Sequence, residues 1–189
     1  MKTKDLAYIA LFAAIVAALG LLPPVPVPGI PVPITAQTLG VMLAGSILGA
    51  RRGFLSQLLF LVLVAIGLPL LASGSGGLAV FAGPTAGYLF SWPIGAFVVG
   101  LLTERFWARY NLAWGILANV VGGILVVYAI GVPVLAAVAN LSPRAAIVSG
   151  ALPFLIGDGI KAVVAAAIAV QVRRSYPVIE RPQRAVAVR

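Results

Sequence analysis

The sequence predicts an all-α membrane protein of six transmembrane helices. Three observations carry that expectation. Hydrophobic residues make up 62% of the chain and charged residues 9%, against about 45–50% and roughly 25% in soluble domains. The apolar residues fall in runs long enough to cross a bilayer as helices, which takes about 20 residues; a β-barrel would show short alternating segments instead. The basic residues gather in every second connection between those runs. A chain of 189 residues holds about six such spans and little else. One domain is therefore expected over residues 1–174. The tail, 175–189, is polar and proline-containing and is expected to be disordered.

The spans are placed at 5–22, 35–50, 53–71, 84–103, 112–132 and 146–172. The first begins after Lys2 and Lys4. No small-x-small cleavage pattern follows it, so it is read as a retained span rather than a signal peptide. LLPPVPVPGIPVP then forms an extended connector, because its prolines forbid a helix. The second span is short for a full crossing, so it tilts or begins in the connector. ASGSGGLAVFAG links the third span to the fourth, and its glycines let backbone approach a ligand closely. PVLAAVANLSPRA, with room for a short interfacial helix, links the fifth span to the sixth.

The charges test that alternation. Lys2 and Lys4, Arg51 and Arg52, Arg105 and Arg109, and Arg173, Arg174, Arg181, Arg184 and Arg189 all fall on one side. Only Arg144 lies in a loop on the other, and Lys161 lies within a span. By the positive-inside rule both termini are expected in the cytoplasm. The net charge of +9 is then topological, and no nucleic-acid partner is expected.

The absences narrow the chemistry. With no Cys and no His, thiolate and imidazole metal sites, cysteine nucleophiles and histidine acid–base catalysis are excluded. No phosphate-binding G-x-x-x-x-G-K-[ST] loop occurs. No cofactor, metal or catalytic residue is expected, and the chain is read as a non-enzyme.

Four segments carry candidate function. In the first span Ala10, Ala13, Ala14, Ala17 and Ala18 form one stripe of small residues, which permits close helix approach in lipid. It serves either contact within the chain or docking of a partner. The second span opens on PVPITAQTLGVMLAG, with Thr35, Gln37 and Thr38 at its outer end. Gln37 offers amide donors and an acceptor to a ligand or an ordinary interhelical bond; Thr35 reads as a helix cap. FAGPTAGYL opens the fourth span. Gly83 and Gly87 spare bulk, Pro84 suits a first helical turn, and Thr85 and Tyr88 add hydroxyls. Trp92 and Trp114 read more readily as interfacial residues than as pocket walls. In the sixth span, PFLIGDGIKAVVAAAIAV carries Asp158 and Lys161, three apart and so on one helix face. An ionisable residue at bilayer depth costs roughly 2.5–3.5 kcal/mol. The pair serves an internal ion bridge, a proton relay or a ligand. Asn119 reads as an interhelical bond.

PITAQT, a glycine-rich loop, GPTAGYL and GDGIK, in that order, resemble the BioY family over about residues 7–174. These are the biotin-specific substrate-binding (S) components of energy-coupling factor transporters. Ala86 stands where the family often has glycine. The resemblance implies a six-helix S-component fold in a bacterial or archaeal cytoplasmic membrane. Biotin would lie near the outer face under the loop between the third and fourth spans, against Asp158 and Lys161. Gln37, Thr85 and Tyr88 would complete its shell, beside Gly83. The alanine stripe would dock the transmembrane coupling (T) component, which joins two cytoplasmic ATPases. The rival expectation is a self-sufficient transporter of biotin or another vitamin, proton-coupled through Asp158 or facilitative.

Overall fold

The computed structural model describes residues 1–29 and 32–179. Its long helices are α1 (Thr3–Gly20), α2 (Gln37–Leu48), α3 (Ala50–Ala65), α4 (Ala86–Arg105) and α5 (Leu112–Val138). A short α6 (Pro143–Gly150) precedes the last long helix, α7 (Leu155–Ser175). The chain is all-helical, as expected. Helices α1, α4 and α5, and the α6–α7 segment Pro143–Ser175, are each long and apolar enough to cross a membrane. Lipid permits this form because a helix satisfies its own backbone polar groups. α4 packs against α2, α3 and α5, and α7 closes the bundle against α2 and α5.

The two larger apolar clusters of the described residues join most of the long helices. Phe12, Met42, Leu48, Ile124 and Ala165 join α1, α2, α5 and α7. Val16, Phe60, Val64, Leu89 and Trp92 join α1, α3 and α4. α2 and α3 meet at a one-residue corner. Gly49 has φ +84° there, in the region that favours glycine. The Glu104 carboxylate accepts the Ala50 N–H at 2.8 Å, capping the start of α3.

Three boundaries differ from expectation. α5 runs past 132, through Pro133, to Val138; proline is tolerated inside membrane helices because neighbours re-satisfy the backbone. The sixth span, expected over 146–172, lies within Pro143–Ser175 but is interrupted, because a break around Leu152–Phe154 separates α6 from α7. α3 stops at Ala65 rather than 71, as the chain turns through Gly67 at φ +106°. In addition α5 carries a π-helical stretch at Val120–Leu125. Residues nine apart on a regular α-helix lie about 180° apart around the axis. One wide turn absorbs about one residue and reduces this to roughly 80°. Asn119 and Tyr128 thereby both face α7, where they bond Ala162 and Asp158.

The connector after α1 is non-helical, as its prolines dictate, and is tied across by Val25 and Ile34 through paired backbone bonds of 2.9 and 3.0 Å. The termini share one end of the bundle. Lys4 Nζ donates to Tyr176 Oη at 2.9 Å. Arg52 pairs with Asp5 at 3.2 Å and donates to the Val178 carbonyl at 3.0 Å. Beyond α7 the chain is thus held as far as buried Ile179. The rest of the expected disordered tail lies outside the described residues.

Candidate ligand-binding cavity

At the end of the bundle away from the termini, a cavity of about 260 Å³ opens among the starts of α2, α4 and α7 and the loop after α3. That is close to the lower end of ligand pockets, about 300 Å³. Leu71, Leu89, Trp92, Val127 and Phe154 give apolar walls. Asp158 and Lys161 give one charged wall.

The charged wall is a closed network. Lys161 Nζ donates to Asp158 Oδ1 at 2.8 Å, to the Thr35 carbonyl at 2.6 Å and to Thr38 Oγ1 at 2.9 Å. The Thr38 hydroxyl donates onward to Asp158 Oδ1 at 3.1 Å. Tyr128 Oη donates to Asp158 Oδ2 at 2.6 Å. An ammonium has three N–H donors, so Lys161 is fully used. A carboxylate has about four acceptor positions, so Asp158, with its three bonds, keeps one. Asp158 is only 4% exposed, and the paired charge and hydrogen bonds around it offset the cost of that burial.

The other expected site residues separate. Thr85 and Tyr88 line the cavity. The Tyr88 hydroxyl donates to the Gly150 carbonyl at 2.7 Å, tying α4 to α6 and leaving its oxygen as an acceptor. Gly83 is not in the wall, because α4 starts three residues later and Pro84 precedes its first turn. Gln37 reaches the wall, but its amide is committed elsewhere. Nε2 donates to the carbonyls of Val16 and Leu70, at 3.1 and 3.0 Å, and Oε1 accepts from Ala72 N–H at 3.0 Å. Thr35 does not cap α2, whose N-cap is Ala36; its carbonyl instead holds Lys161. Trp92 is a cavity wall, while Trp114 stacks on Phe106 at 4.2 Å, outside it. Asn119 makes the interhelical bonds expected of it, accepting from Ser46 Oγ at 3.0 Å and donating to the Ala162 carbonyl.

Sequence reasoning missed Tyr128 and Phe154. Tyr128 sits mid-span with no polar neighbour in sequence, and its position depends on the π turn. The alanine stripe also divides. Ala13 is buried and Ala17 half-buried against the core, whereas Ala10, Ala14 and Ala18 are exposed along the outside of α1.

An apolar cavity with one charged wall, set inside a bundle of membrane-crossing helices, defines a membrane protein built to hold a small amphipathic molecule. The comparisons narrow that class. Residues 1–178 match the model of the BioY family. The chain is 54% identical to the biotin transporter BioY of Rhizobium etli, over 98% of this chain and 100% of that one. It is 43% identical to the probable biotin transporter BioY of Bacillus subtilis, over 93% of each. A crystal structure of the S-component for biotin from an ECF-type ABC transporter superposes with a TM-score of 0.87 at 34% identity, covering 92% of this chain and 95% of that one. The chain belongs to the BioY family, whose matched members are transporters rather than enzymes.

Proposed function

We propose that this chain is the biotin-binding S component of an energy-coupling factor transporter. The observation that carries the reading is buried Asp158, paired with half-buried Lys161, at one wall of a mainly apolar cavity. Biotin has a planar ureido group with two N–H donors and a carbonyl, an apolar bicycle and a carboxylate on a flexible tail. The remaining acceptor position on Asp158 suits a ureido N–H. Lys161 has no donor to spare, so its contact with ligand requires release of Thr35 or Thr38. The hydroxyl of Thr85, which has no partner among the described residues, and the Tyr88 oxygen add polar points. Leu71, Trp92 and Phe154 suit the ring and chain.

The basic termini and the Arg51–Arg52 and Arg105–Arg109 turns support a cytoplasmic position for the terminal end in a bacterial or archaeal membrane. The cavity then opens outward. Ala10, Ala14 and Ala18 present a low-relief face for a T component, which couples to two cytoplasmic ATPases; the family membership supports this assignment. Ala13 and Ala17 serve internal packing. Replacing Ala14 with Trp is expected to spare biotin binding and impair assembly with the T component, scored by co-purification.

The deciding experiment is a titration of purified protein against a vitamin panel with desthiobiotin and biotin amide. Biotin should bind with clear preference, and loss of preference for it rejects the reading. Uptake in cells lacking any partner ATPase, with and without an uncoupler, tests the self-sufficient alternative.

A further inference from the structure

The loop between α3 and α4 brings Leu71, Ala72 and Ser75 to the cavity wall. Its internal bonds are local. Leu71 N–H donates to the Ser75 carbonyl at 3.1 Å, and Gly77 N–H to the Val64 carbonyl at 2.8 Å. Among the described residues, every hydrogen bond from residues 66–77 to anything beyond this loop and α3 goes to one side chain, that of Gln37.

The geometry of that contact is informative. Leu71 is extended, with φ −77° and ψ 159°. In an extended segment the carbonyl of one residue and the N–H two residues on point to the same side, as in a β-ladder. Gln37 brackets that pair, donating to Leu70 and accepting from Ala72, so its amide acts as one rung of an adjoining strand. Its second N–H bonds the Val16 carbonyl on α1. Gln37 is 1% exposed, so an amide left without these partners would have no water to replace them. Gly20 makes the approach possible. A Cβ there would lie 2.4 Å from the Leu70 carbonyl oxygen and 2.9 Å from Gln37 Nε2.

We infer that Gln37 is a positioning residue, not a ligand contact: its amide pins the cavity-covering loop to α1 and sets how fast the cavity opens. The pin itself stands on the geometry alone. Its effect on biotin exchange rests on the biotin reading proposed above.

The chain has no cysteine, so one introduced thiol reports one place. Leu71 is 8% exposed and is replaced by Cys. Maleimide labelling of Leu71→Cys is then compared with the same substitution combined with Gln37→Leu or with Gly20→Ala. Both combinations should label about tenfold faster, the change that equals about 1.4 kcal/mol of loop anchoring. Gln37→Leu should also release biotin faster while binding stoichiometry is kept, which a merely misfolded fraction would not produce. Unchanged labelling in both variants, with helical content by circular dichroism and a monodisperse elution profile retained, overturns the pin. If Gln37→Leu fails to fold, Gly20→Ala decides, because it leaves Gln37 in place. Biotin binding is scored in the parent protein, because Leu71 lies in the cavity wall: faster labelling with no binding by the parent leaves the pin standing and removes the vitamin reading, and unchanged labelling with binding by the parent removes the pin alone.

Discussion

Among the described residues, an acid–base bridge stands at each end of the bundle, and the two differ in what surrounds them. At the terminal end Arg52 meets Asp5 at 3.2 Å, with side chains 20% and 23% exposed. At the cavity end Lys161 meets Asp158 at 2.8 Å, with 15% and 6% exposed. Arg52 also bonds the Leu48 and Val178 carbonyls, so it ties chain ends together near water. Asp158 and Lys161 bond the Thr38 side chain on α2, the Tyr128 side chain on α5 and the Thr35 carbonyl in the connector before α2, and face a mainly apolar cavity. The same chemistry is a clasp where water competes. Where water is scarce and one acceptor position is left over, it suits the ligand-binding role proposed for it.

Substitutions at the two bridges should therefore differ in scale. Lys161→Met should cost most, because it leaves a buried carboxylate without its counter-charge. A loss of about 3–5 kcal/mol is expected, read as a large fall in thermal stability of the purified protein. A small change would place Asp158 in contact with water. Asp158→Asn keeps the shape and removes the charge. It should weaken biotin binding more than tenfold, or about 1.4 kcal/mol, by calorimetric titration; wild-type affinity would take Asp158 out of the site. Tyr128→Phe removes one bond to Asp158 and should cost about 1 kcal/mol of affinity; an effect equal to that of Asp158→Asn would make Tyr128 a direct ligand contact. Asp5→Asn breaks the half-exposed bridge and should change thermal stability least of the four, with biotin affinity unaltered. A larger loss would erase the contrast between the two ends.

Asp158, Lys161 and Thr38 were visible as candidates because two lie in one turn of one helix and the third stands out as polar at a span end. Tyr128 was not, because its approach to Asp158 depends on a π turn that no local pattern announces. Gln37 was visible as a polar residue at a membrane-span end, with ligand contact and interhelical bonding both open. An amide serves a ligand and a backbone equally well, and only the arrival of Leu70 and Ala72 opposite it distinguishes them. α5 continues through Pro133, past the expected end at 132, because lipid-embedded helices accommodate proline when neighbours supply packing.

What the sequence determined alone was the environment and the thread. Long uncharged runs must be helices in lipid, prolines must interrupt them, and unevenly placed cations must sort the connections to two sides. These follow from solvation and backbone sterics, which act residue by residue. What only the tertiary structure decided was which polar groups face each other: the network around Asp158, the bracket on the loop and the division of the alanine stripe. Those depend on helix rotation and register, and packing between segments distant in the chain sets both.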